Sequence, residues 1–187
     1  MDEKTSDYVT VGMMGCSFVL ALLGMFTSAW LVLDMQMWDE DIQYTISLSS
    51  VNVIFDGEEE SMSLSEVCLP DGGDLGMDFC SMQTAGTTAK VFIWIGLILC
   101  LYMIVISILP IAGKGDLVNR IPAVLTMIAS WAAGGMILAG VILWYLIAPT
   151  AGFDVGFSAY MTLFAGLLGL GSTFMNKFRL EVKISRR

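Results

Sequence analysis

Four stretches of the sequence carry no Asp, Glu, Lys, Arg or His: Tyr8 to Leu33 (26 residues), Val91 to Gly113 (23), Ile121 to Ala148 (28) and Phe157 to Asn176 (20). A hydrocarbon core about 30 Å thick is crossed by roughly 20 residues of α-helix rising 1.5 Å each, so every one of these stretches can span a bilayer. Together they fill just over half of the 187 residues. What remains is too short for a soluble domain of ordinary size, which argues against catalytic or nucleic-acid-binding modules outside the membrane. A composition of 56% hydrophobic and 14% charged residues points the same way, far from the balance of a soluble domain. The expected fold is an all-α transmembrane four-helix bundle.

Basic residues near span ends stay on the cytoplasmic side, and eight of the nine Lys and Arg fall on one side of this layout. The expected order is a cytoplasmic N-terminus (1–7), span 1 (8–33), an extracellular loop (34–90), span 2 (91–113) and a cytoplasmic turn (114–120). Span 3 (121–148), a short extracellular loop (149–156), span 4 (157–176) and a basic cytoplasmic tail (177–187) complete it. The protein is thus expected in the cell membrane, multi-pass, with both termini cytoplasmic. The acidity is local: residues 34–90 hold 12 acidic residues against Lys90 alone. Span 1 is expected to be retained, because Asp2, Glu3 and Asp7 replace the positive start of a cleaved leader and the apolar run is too long for one.

The spans hold no ionisable group of the kind that proton relays, ion-coupled carriers and voltage sensors place at membrane depth, and the chain has no His. Imidazole ligation of haem or copper is therefore ruled out. No cofactor is expected, and neither is an enzyme. The expected partners are the lipid bilayer and either further copies or other membrane proteins, not nucleic acid. Small residues four apart let helix backbones approach where lipid is as apolar as Leu. Such pairs are Gly12 with Cys16, Gly24 with Ser28, Ser130 with Gly134, Gly135 with Ala139, and Ala165 with Gly169. Gly135, Ala139, Ala165 and Gly169 are the expected helix-packing positions of spans 3 and 4.

The long loop is β-rich by its pattern. Ile42, Tyr44, Ile46 and Leu48 alternate with polar residues, and Val51, Val53 and Phe55 continue the alternation one residue out of phase. A bulge or turn near Ser49 and Ser50 reconciles the two phases. Asp56 and Gly57 offer a turn into a further strand through Met62 and Leu64 toward Cys68, and a small antiparallel β-sheet in the first extracellular loop follows. Cys68 and Cys80 lie outside the spans on the oxidising side and are expected to form a disulfide, intermolecular bridging being the competing arrangement. Cys16 and Cys100 lie within apolar runs and are expected to be inert. Between the two outer cysteines, Asp71, Asp74 and Asp78 stand among flexible glycines and are weak calcium candidates. A solvated acidic face is the competing and plainer reading of those charges.

Four spans, a long first outer segment with two cysteines, a short second one and Trp30 closing the first span together resemble the claudin and peripheral-myelin-protein superfamily. Trp144-Tyr145 near the outer end of span 3 and Phe153-Asp154-Val155-Gly156 leading into a small-residue-rich span 4 add to the likeness. The family's Trp-Gly-Leu-Trp-type stretch just ahead of the first cysteine has no counterpart, so no pore-lining or partner-binding residue is carried over. The resemblance implies a left-handed bundle topped by a small outer sheet. It also implies a non-enzymatic adhesive, barrier or structural interaction role through the extracellular loop. An accessory or assembly subunit of a larger membrane complex is the alternative, and a cation-selective pore component, suggested by the acidic loop, is a third reading.

Overall fold

The structure is a computed structural model that describes residues 3–37, 40–55, 58–68, 78–114, 117–118, 121–149 and 152–185. The helices with described bounds are, in chain order, α1 (Glu3–Phe26), α2 (Leu64–Val67), α3 (Phe79–Ile111), α4 (Ala123–Ile147) and α5 (Phe157–Ser185). Five strands accompany them: β1 (Leu31–Met37), β2 (Glu40–Ile46), β3 (Ser50–Phe55), β4 (Glu58–Ser63) and β5 (Asp154–Val155). Stretches of α1, α3, α4 and α5 are long and apolar enough to cross a membrane: Tyr8–Phe26, Phe79–Ile111, Ala123–Ile147 and Phe157–Phe174. They mark a multi-pass membrane protein.

Helix boundaries depart from the apolar runs in instructive places. The first run was expected to be one helix through Leu33, but α1 stops at Phe26 and Leu31 already pairs with Ile46 in a strand. Hydropathy does not distinguish a lipid-crossing helix from a buried strand that follows it. Conversely, α3 starts at Phe79, well before the second run, and at 33 residues is about 50 Å long. It ends through Gly113, whose φ of +77° lets Lys114 N–H reach back to the Leu109 carbonyl at 2.9 Å.

The chain divides into two compact units. The first holds residues 1–22, 93–138 and 163–187, and its four helical segments form a bundle in the order α1, α3, α4, α5 and back to α1. Ser17 of α1 is buried, donates to the Ala165 carbonyl of α5 at 2.7 Å and lies 3.9 Å from the Cys100 sulfur of α3. Gly96 of α3 leaves no space for a methyl group, which would stand 2.6 Å from Ile137 of α4. The α4–α5 seam is closest: a methyl on Gly134 would collide with the Leu170 and Gly166 backbones, and one on Gly169 would stand 2.8 Å from Gly134 Cα. Ser130 and Thr173, both buried, share a 2.9 Å hydrogen bond across the same seam, and Trp131 meets Phe174 edge to face at 5.4 Å. Outside, the segments present Val19, Ile98, Leu101, Val105, Val124, Ile128, Phe164 and Leu167. So large an apolar exterior is what lipid, not water, can solvate.

The second unit holds residues 23–92 and 139–162. Its sheet has the order β4-β3-β2-β1-β5, antiparallel throughout. The hairpin between β2 and β3 is a turn at Ser47–Ser49 and not a bulge: the Ser47 hydroxyl accepts from the Ser49 and Ser50 N–H groups at 3.0 and 2.8 Å. The further strand expected toward Cys68 ends at Ser63, where a capping box starts α2. Trp30 is the hub of this unit. It is fully buried, its indole N–H donates to the Gly24 carbonyl at 2.7 Å, and its ring meets Trp144 edge to face at 4.9 Å. Its backbone is used on both sides: the N–H donates to Ile46 and the carbonyl accepts from Gly156. Gly156 can lie there only without a side chain, since a Cβ would collide with the Ala29 carbonyl. The first turns of α3 press equally closely, with Gly86 against the Leu48 backbone.

Candidate interaction surface

The disulfide expected between Cys68 and Cys80 is formed, with Cα atoms 4.7 Å apart. It ties the end of α2 to the first turn of α3, so β4 is anchored through only four intervening residues. Of the calcium candidates, Asp71 and Asp74 lie outside the described residues. Asp78 is exposed and caps α3: one carboxylate oxygen accepts the Ser81 N–H at 2.9 Å and the other the Ser81 hydroxyl at 2.5 Å. The Ser81 hydroxyl bond first, then the Ser81 backbone bond, hold its carboxyl below the ordinary value of 3.8. A carboxylate with both oxygens so occupied is a helix cap. Among the described residues no three His, Cys, Asp or Glu side chains gather as a metal site.

The helix-packing candidates divide. Ala165 is fully buried and accepts the Ser17 bond, and Gly169 lies against Gly134. Gly135, expected at a helix contact, has open space where a side chain would stand, and Ala139 is half-buried. One helix position is 100° of rotation, so the inward glycine is the preceding one, Gly134. Gly12 likewise has open space beside it, and Cys16 is exposed. Gly24 is inward, where a Cβ would collide with the Thr162 hydroxyl. Sequence reasoning missed Gly96, Gly86 and Gly156 as contact points: Gly96 stands in an apolar run that carries no sign of which way it faces, and Gly86 and Gly156 lie in segments read as loops.

β4, at one end of the sheet, carries three consecutive glutamates. In the register, Glu58 stands beside Phe55, Glu60 beside Val53 and Met62 beside Val51, while Glu59 stands beside Ile54 and Ser61 beside Asn52. Successive side chains alternate between faces, so one face carries Phe55, Val53 and Val51 bordered by Glu58 and Glu60. On the other face the Asn52 amide donates to Glu59 at 3.2 Å and Ser61 donates to Asn52 at 2.8 Å. Every residue of β4 from Glu58 to Met62 is exposed, and β4 is an edge of the sheet. The side chains of Glu58 and Glu60 have no hydrogen-bond or ion-pair partner among the described residues. That three consecutive glutamates lie on an edge strand is not legible in the sequence, because strand order is a tertiary property.

No protein-family model matches this sequence, and no curated protein matches it at a significant level.

Proposed function

We propose that the protein is a non-enzymatic integral membrane protein of claudin-like layout whose sheet-bearing segment lies outside the cell and acts as an interaction module. Its role is adhesive, barrier-forming or structural, with both termini in the cytoplasm. The observation that carries this reading is the β4 edge, exposed along Glu58 to Met62 and held by the Cys68–Cys80 bond. A rigid, solvated strand edge offers backbone groups that a partner can pair with, whereas the apolar exterior of the helices meets lipid. The positive-inside bias of the basic residues supports the orientation, and an oxidising compartment accords with the disulfide.

Two measurements test it. With Cys16 exchanged for Ser, an impermeant maleimide applied to intact cells should label a Ser61→Cys variant; labelling only after lysis overturns the orientation. Crosslinking and pull-down in native membranes should then recover contacts made through β4 between opposed membranes. A single stoichiometric partner in the same membrane, unaffected by changes in β4, would replace this reading with that of an accessory subunit.

A further inference from the structure

We infer that the free edge of β4 takes a cationic partner strand, antiparallel, with three consecutive basic residues opposite Glu58, Glu59 and Glu60. The inference deepens the interaction reading above and rests on it. Among the described residues β4 pairs on one side only, so from Glu58 to Met62 its other side presents alternate N–H and C=O groups to solvent, the Ser63 N–H being taken by Glu66; at the opposite edge β5 covers Leu31 and Val32 of β1. The strand is preorganised at its C-terminal end: Ser63 begins the capping box of α2, Leu64 is fully buried, and Cys68 is bonded to Cys80. An added strand would therefore meet an edge already in extended conformation and lose little further entropy in ordering it.

The side chains specify the occupant. Glu58 and Glu60 project on one face and Glu59 on the other, so cations are called for at three successive positions of the incoming strand, alternating between faces. Beyond them Ser61 calls for a polar residue, Met62 for an apolar one and Ser63 for a polar one. Since every pairing in the sheet is antiparallel, the strand that fits reads Ser-Val-Thr-Lys-Arg-Lys from its N-terminus. This chain has no such segment on that side, because Lys90 is the only cation between Asp34 and Lys90. A second copy does not supply the cations: paired antiparallel with its own β4 it sets glutamates against Ser61, Met62 and Ser63 or against one another, so Glu58, Glu59 and Glu60 gain no opposite charge. The occupant is thus a basic segment of a different protein.

The test uses the full-length protein in detergent or nanodiscs and fluorescence polarisation with the labelled peptide Ser-Val-Thr-Lys-Arg-Lys. Two further versions carry backbone N-methyl groups at odd or at even positions, which keep the charge but block one row of N–H groups. Edge pairing predicts that the parent peptide binds and that one methylated version weakens at least tenfold while the other does not, because only one row faces β4. A Glu58→Gln, Glu60→Gln variant that keeps the wild-type melting temperature should bind the parent at least tenfold more weakly. Ser-Val-Thr-Glu-Glu-Glu should not bind. Equal binding of both methylated versions would show charge attraction without a ladder and overturn the inference, as would no binding of the parent at 1 mM. Failure here with a β4-dependent partner recovered from membranes would sink the strand-addition model alone; loss of that partner as well would sink the interaction reading.

Discussion

The two compact units reach a dry interior by opposite means. In the first, helix backbones come together at Gly96, Gly134, Gly166 and Gly169, and among the polar groups drawn inside, Ser17, Ser130 and Thr173 carry hydroxyls bonded across helices. In the second, the interior is built from one large ring, Trp30, set against Trp144, with strand ladders on either side and a covalent tie. The difference accords with the proposed placement of the sheet outside the membrane. Where lipid is as apolar as the core, burying large side chains gains little, so close backbone approach and dispersion decide association. Where the surface meets water, apolar burial is worth about 25 cal/mol per Å² and a buried Trp is the larger asset.

Substitutions can break or sharpen that contrast. The largest effect is expected from Trp30→Ala, which empties the hub of the second unit and should cost about 3–5 kcal/mol. Loss of the disulfide comes next. Closing a loop of this length contributes about 3 kcal/mol in the chain-entropy account. Cys68→Ser and Cys80→Ser should therefore destabilise equally, and the double variant no further, because both remove one shared bond. Thermal melts with and without reductant check this, and free thiols at both positions in non-reduced protein would refute it.

Third, Gly134→Ala should cost about 1–3 kcal/mol by forcing α4 from α5, since the obstacles are backbone atoms that cannot rotate away. Its neighbour Gly135→Ala should be neutral or slightly stabilising, since its space is open and Ala is the better helix former. Equal melting temperatures for the two variants would mean that the α4–α5 seam is not the contact described.

The smallest effect is electrostatic. Asp78 titrates below 3.8 in the folded protein because Ser81 bonds favour the carboxylate. A depressed native pKa contributes stability above the unfolded value, and that contribution is lost as pH falls through the native one. The melting-temperature difference between wild type and Asp78→Asn should accordingly be constant near neutral pH and shrink below about pH 3.8. A difference that grows on acidification would refute the capping role.

How much of this was legible in the sequence depends on which physical signal was strong. The four apolar helices follow from run length alone, and the alternation from Ile42 to Phe55 marks β2 and β3, whose Ile46 and Val51 are buried. The Cys68–Cys80 bond follows from there being only two cysteines outside the apolar runs. β1 and β5 were invisible: Leu31 to Leu33 continue an apolar run that began as helix, and Asp154–Val155 is too short to show a period.

By itself, then, the sequence determined composition-driven features: the number of helices able to cross a membrane, the β character of the acidic segment and the pairing of two cysteines. Each depends on local hydropathy or on residue inventory, which need no partner to be read. Only the tertiary structure decided that Gly134 and not Gly135 meets α5, that Trp30 is a hub and not a span end, and that the three glutamates line a free edge. Those depend on helix rotation and strand order. In a segment apolar on every side, rotation leaves no trace in the pattern, and strand order is set by which backbones meet across the chain.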